Sequence, residues 1–138
     1  ASADNPELRS SPDFTYVKEY ELALIKQRRL LFRQIHSKVP LKGKVIILTD
    51  DGLATGATMQ AALWSVLQEE PEKVIVAVPV APLETLKRLA KDAYQVICLR
   101  VPTSLQAISQ FYIHFNQVKD DEVVEILKET TRKEAGHA

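Results

Sequence analysis

The sequence predicts an α/β domain, a parallel sheet flanked by helices, and three observations carry that prediction. Three short runs, 44–49, 73–80 and 95–101, are rich in Val and Ile and apolar without alternation, the pattern of strands covered on both faces. Two stretches of helical character, 58–69 and 82–92, separate them. The order strand, helix, strand, helix, strand calls for right-handed crossovers, which lay the three strands side by side and parallel.

Taken in order, residues 1–13 contain Asn5-Pro6 and Ser11-Pro12 and read as an irregular lead, with a single domain over 14–138. A helix is expected from Phe14 to His36, with Val17, Tyr20, Leu24, Leu31 and Ile35 on one broad stripe. It also carries Lys26, Arg28, Arg29 and Arg33, for which a solvated helix face is a better account than a phosphate site. Val39 to Gly43 is a turn. The helix at 82–92 opens with Pro82 in its first turn, where a missing amide does no harm. Residues 110–118 are rich in aromatics and lack a clear period. A last helix at 120–130 has Asp120 and Asp121 in its first turn, where they suit the helix dipole.

Composition excludes several classes of function. Lys and Arg number 18 and Asp and Glu number 18, so neither nucleic acid nor an acidic membrane is expected as the main partner. No apolar run approaches the roughly 20 residues that cross a bilayer. The start, ASADNPELRSSPDF, has no apolar stretch of the secretory kind. Cys98 stands alone inside VICL and reads as a buried structural thiol, which points to a cytoplasmic setting. His36, His114 and His137 lie far apart with no Cys or acid at ligand spacing, so a zinc site is not expected.

The informative stretch is VIILTDDGLATGATM, residues 45–59. In an open parallel sheet ligands gather at the carboxyl ends of strands, which is where Asp50 and Asp51 fall. The loop behind them opens a helix whose first amides are unpaired. Small residues let an anion approach those amides, the dipole favours negative charge, and Thr55 and Thr58 add hydroxyls. That describes a cradle for one phosphate, formed by Ala54, Thr55, Gly56, Ala57 and Thr58. Two carboxylates beside it repel phosphate oxygens and suit hydroxyl donors or a metal instead. A ligand with a phosphate at one end and vicinal hydroxyls near it is a ribose 5-phosphate. A Walker loop would need Lys where Ala57 stands, and a dinucleotide fingerprint needs a third glycine beside Gly52 and Gly56. The plainer alternative is that Asp51 caps the helix and the glycines only shape the turn.

The same stretch closely resembles the phosphoribosyl pyrophosphate-binding motif of type I phosphoribosyltransferases: a hydrophobic strand, two acids, then Thr-Gly-x-Thr. LKGKVIILTDDGLATGATMQAA, VIVAVPVAP and FYIHFNQVKDDEV extend the resemblance, toward a bacterial group of such proteins, over residues 16–127. It implies the Rossmann-like fold of that family. It further implies that Asp50 and Asp51 are the catalytic acids, on the ribose 2- and 3-hydroxyls, and that 54–58 binds the 5-phosphate. Gly52 departs from the family, which usually has an aliphatic residue there, and is expected to loosen the turn. The reaction implied is displacement of pyrophosphate from C1 of the ribose by a nitrogenous base. Magnesium is expected as cofactor, bound mainly through the ligand, with no direct protein metal site. On the base side the resemblance points to Leu105, three residues after Pro102 where relatives have an aromatic, with Tyr112 or Phe111 as substitutes; aromatics there are also ordinary core residues.

Two features of the family have no counterpart upstream of residue 44: a strand with a pyrophosphate loop, and a mobile closing loop. NPEL at 5–8 looks like a remnant of the segment near the latter. The chain is therefore read as truncated at its N-terminal part or as a degenerate member, with weak or absent turnover by itself. The alternative to an enzyme is a non-catalytic module that binds a ribose phosphate or nucleotide and regulates. The partner in either case is phosphoribosyl pyrophosphate or a ribose 5-phosphate ligand. A homo-oligomer is also expected, because the strand at 44–49 would otherwise leave an open sheet edge.

Overall fold

The computed structural model describes residues 12–136. The NPEL segment and His137 lie outside them. The described elements, in order, are α1 (Pro12–Ile35), β1 (Val45–Thr49), α2 (Ala57–Leu67), β2 (Lys73–Val80), α3 (Leu83–Leu89), β3 (Gln95–Arg100), a 3-10 turn (Ile108–Phe111) and α4 (Asp120–Ala135). Val39–Asn116 makes one compact unit, and the described residues before and after it, 12–38 and 117–136, make another. No helix among the described residues is long and apolar enough to cross a membrane.

In the first unit the sheet runs β1-β2-β3, and both neighbouring pairs are parallel, as the apolar runs predicted. Val45 pairs with Lys73 and Thr49 with Ala77 across β1 and β2. Between β2 and β3 the register passes from Val78↔Cys98 to Val80↔Arg100, stepping over Pro79, which has no amide to donate. Val74, Val76, Val78 and Val80 are buried, and Leu63 of α2 and Leu89 of α3 close over that face with no exposure at all. Each of these leucines stabilises the fold by about 1.5–3 kcal/mol through burial. Cys98 is half-buried against the same core, and its Sγ lies 3.2 Å from the Arg100 carbonyl.

Coverage of both sheet faces, the expectation from unbroken apolar runs, does not hold within this unit. Strands laid down in sequence order through two right-handed crossovers put both helices on one side. The other face keeps Val45, Ile47, Ile97 and Leu99 exposed, Ile47 at 64% and Leu99 at 85%. Ile47→Thr should therefore change stability by no more than about 0.5 kcal/mol in urea denaturation. A loss several times larger would mean that this face is covered.

In the second unit α1 and α4 pack together. Arg28 Nε lies 3.2 Å from an Asp120 carboxylate oxygen, and His36 Nε2 lies 3.7 Å from Glu134. Leu24, Phe32 and Ile35 of α1 are half-buried, as is His36 just beyond it, while Tyr20 and Leu31 are exposed. The row 24, 28, 32, 35 follows helical i+4 and i+3 spacing, so Arg28 sits on the packed edge and takes up its acid there. Asp120, Asp121 and Glu122 occupy the first turn of α4, and Arg132 and Lys133 its last, both favourable to the dipole.

Candidate functional site

β1 ends at Thr49, and the chain leaves the carboxyl edge of the sheet as Asp50 and Asp51. The Asp51 amide donates to Asp50 Oδ1 at 2.9 Å, which turns the two acids into one tight corner. Leu53, buried, donates its amide to the Val80 carbonyl at 2.9 Å and pins the loop to the end of β2. Gly52 does not loosen the turn. A Cβ there would stand 2.7 Å from Ile108 Cγ2 and 2.8 Å from Val80 Cγ1, so the missing side chain is what lets the 3-10 turn close on the strand end.

Gly56 is the residue before α2 and adopts the left-handed conformation, φ 74° and ψ 11°. The helix begins at Ala57, and Gln60 is the first residue to donate back, to the Gly56 carbonyl at 2.8 Å. No side chain caps the helix start, so Asp51 is not the cap that the plainer reading required. Thr55 Oγ1 reaches only the Ala57 amide, at 3.4 Å. The amides of Thr58 and Met59 belong to the set that an α-helix leaves without intrahelical partners. Asp50 and every residue from Gly52 to Met59 line a cleft of about 210 Å³. This is smaller than the roughly 300–1,000 Å³ that holds a drug-sized ligand, and it suits a single small anionic group.

Electrostatics divide the site. The helix start offers positive potential, whereas the acids repel one another. Asp51 holds its proton more tightly than an ordinary aspartate, first because partial burial removes water, then because the Asp50 charge and side chain lie beside it. A carboxyl whose folded pKa is raised disfavours the folded state once both states are ionised, and has no effect below its unfolded value near 3.9. Asp51→Asn should therefore raise the thermal midpoint of the ligand-free protein at neutral pH. That advantage should disappear below about pH 4. Melts across pH check it, and an advantage that grew on acidification would contradict the sign.

Tyr112 reaches the same corner, its hydroxyl donating to the Asp51 carbonyl at 2.5 Å, with its ring 5.1 Å from that of Phe115. It also borders a second cleft, of about 470 Å³, with Pro79, Val80, Leu99, Arg100, Gln110 and Phe111. The Arg100 guanidinium lies 5.9 Å from the Phe111 ring centre. Leu105 is half-buried and lines neither cleft. Asp50, Ala54, Thr55, Gly56, Ala57 and Thr58 thus share one cleft; Asp51, next to Asp50, is not part of its lining and is tied through its carbonyl to Tyr112 of the second cleft, and Leu105 is apart.

Sequence reasoning missed two residues of α3. Thr85, 4% exposed, donates its hydroxyl to the Ala54 carbonyl at 2.7 Å, and Arg88 Nη2 donates to the Thr55 carbonyl. The available signal was a threonine on the apolar stripe that Leu89 continues one turn later. Among the described residues no three His, Cys, Asp or Glu side chains converge as a metal site.

The strand, the acid pair and the uncapped helix start lie together at the carboxyl end of a parallel strand. The family model for the phosphoribosyl transferase domain matches residues 10–115, and the chain belongs to that family. It is 38% identical over 116 residues to the Mycobacterium tuberculosis (strain H37Rv) protein named "Putative phosphoribosyl transferase Rv0571c", a match covering 84% of this chain and 26% of that protein. Over 62 residues it is 39% identical to a uracil phosphoribosyltransferase of Aquifex aeolicus, covering 44% of this chain and 30% of the relative. The crystal structure of TT1426 from Thermus thermophilus superposes with a TM-score of 0.75 at 38% identity, over 88% of this chain and 59% of that one. The chain therefore spans about a quarter of the length of the mycobacterial relative.

Proposed function

We propose that this domain binds phosphoribosyl pyrophosphate or a related ribose 5-phosphate, and that the protein transfers the phosphoribosyl group to a nitrogenous base with release of pyrophosphate. One observation carries the reading: an uncapped helix start, formed by 54–58, stands directly beside two carboxylates at the end of β1. The 5-phosphate lies against the amides of the loop, and the ribose hydroxyls donate to Asp50 and Asp51. In the reaction the bond from C1 to pyrophosphate breaks as a base nitrogen bonds to C1, and positive charge develops on the ring. Carboxylates held next to the sugar stabilise that charge, and the loop fixes the ring by its far end. Magnesium, bound mainly through the ligand, would neutralise charge on the leaving group. Asp50 and Asp51 are the residues that would face it. The cleft bordered by Tyr112 is the place for the base, in preference to the surroundings of Leu105.

Calorimetric titration with ribose 5-phosphate, phosphoribosyl pyrophosphate and inorganic phosphate tests the binding half. Both sugar phosphates should bind more tightly than inorganic phosphate, and failure of both to bind would overturn the proposal. Pyrophosphate release with a panel of nucleobases tests the transfer half; binding without release from any base would favour a regulatory module. The position of β1 at the edge of the sheet supports self-association by strand pairing, which light scattering reads directly. The half-buried, unpaired Cys98 fits a reducing cytoplasmic setting.

A further inference from the structure

We propose that α3 is a positioning device for the phosphate loop, with Thr85 and Arg88 selecting which loop amides face the anion. The inference rests on reading that loop as the ribose-phosphate cradle. A trans peptide unit points its C=O and N–H in opposite directions. Thr85 Oγ1 holds the Ala54 carbonyl at 2.7 Å, so the Thr55 amide is turned to the other side. Arg88 Nη2 holds the Thr55 carbonyl, so the Gly56 amide is turned likewise. Thr55 and Gly56 both line the cleft, which places two further donors beside those of the helix start. Thr85 has a second contact: its Cγ2 lies 2.5 Å from where a Gly56 Cβ would be, so the loop can seat on α3 only through a glycine. The guanidinium of Arg88 further adds positive charge next to the loop, where an anion benefits.

Two substitutions separate hydroxyl from shape. Thr85→Val keeps the shape and loses the donor; Thr85→Ser keeps the donor and loses the methyl. Amide order parameters in the ligand-free protein and the calorimetric affinity for ribose 5-phosphate are the two readouts. With Val, the order parameters of Thr55 and Gly56 should fall from about 0.85 toward 0.6. Affinity should weaken roughly five- to tenfold, the loss of one hydrogen bond of ordinary strength. With Ser both should stay close to the wild type. Arg88→Met, an exposed position that leaves the core intact, should loosen the Gly56 amide alone. Val matching the wild type while Ser loses order and affinity would overturn the proposal, since Thr85 would then act by packing only. An unchanged Gly56 order parameter in Arg88→Met would remove Arg88 from it. If Val loosens the loop but the wild type does not bind ribose 5-phosphate, the positioning role stands and the ribose-phosphate reading falls.

Discussion

Asp51→Asn should weaken ribose 5-phosphate binding by roughly one to two powers of ten, because hydrogen bonds to charged groups contribute about 1.5–3 kcal/mol. Asparagine keeps the shape and removes a charged acceptor. Inorganic phosphate should bind as well or better, since a repelling charge beside the cradle has gone. Only the sugar phosphate therefore loses affinity, which general damage to the loop cannot produce. The structure removes the simplest competing role, because Gly56 and not Asp51 precedes the helix and no side chain caps it. Asp50 lines the loop cleft and Asp51 does not, its carbonyl being held by Tyr112. Asp50→Asn should accordingly relieve repulsion of inorganic phosphate more strongly than Asp51→Asn. Paired calorimetric titrations check this, and an equal loss for both ligands would mean that the acids support the loop and not the sugar.

The second large effect is expected at Gly56. A side chain there must adopt φ 74°, which for an L-residue costs about 1–2 kcal/mol and more when β-branched. Its Cβ would also stand 2.5 Å from Thr85 Cγ2, and forcing bulk into a packed site costs about 1–3 kcal/mol. Gly56→Val should therefore destabilise the protein by roughly 2–5 kcal/mol in denaturant, and the folded fraction should bind no phosphate. The lost binding has its origin in displacement of the loop from α3; the new side chain points at Thr85. A double substitution separates the contributions. In Gly56→Ala with Thr85→Ser the colliding methyl is gone, so part of the loss should be recovered while the backbone strain remains. Purely additive losses would place the clash elsewhere.

The parallel sheet and the loop were legible because both are local signals. Val-rich runs such as 73–80 declare a strand, and small residues after Asp50 and Asp51 declare an approachable helix start. Which face of the sheet is covered was not legible, because Ile47 and Leu99 are as apolar as Val76 and Leu63. Only the sequential strand order, fixed by pairing over tens of residues, decides it. Gly52 was misread for the same reason: its constraint comes from Ile108, remote in sequence and adjacent in space. Thr85 and Arg88 carry no motif at all. Their role exists only because the crossover through α3 returns beside the loop. The predicted stripe of α1 failed at Tyr20 and Leu31, where the side facing α4 is set partly by the Arg28–Asp120 pair and not by apolarity alone.

The central claim is that one corner of this domain holds phosphate and sugar through different groups. Amide chemical-shift mapping with two ligands tests it most directly. Ribose 5-phosphate should move the amides of Thr55, Gly56, Ala57 and Thr58 together with those of Asp50 and Asp51, whereas inorganic phosphate should move the loop amides and leave the acids nearly still. Identical shift patterns for the two ligands, or shifts confined to residues outside 50–58, would contradict the account.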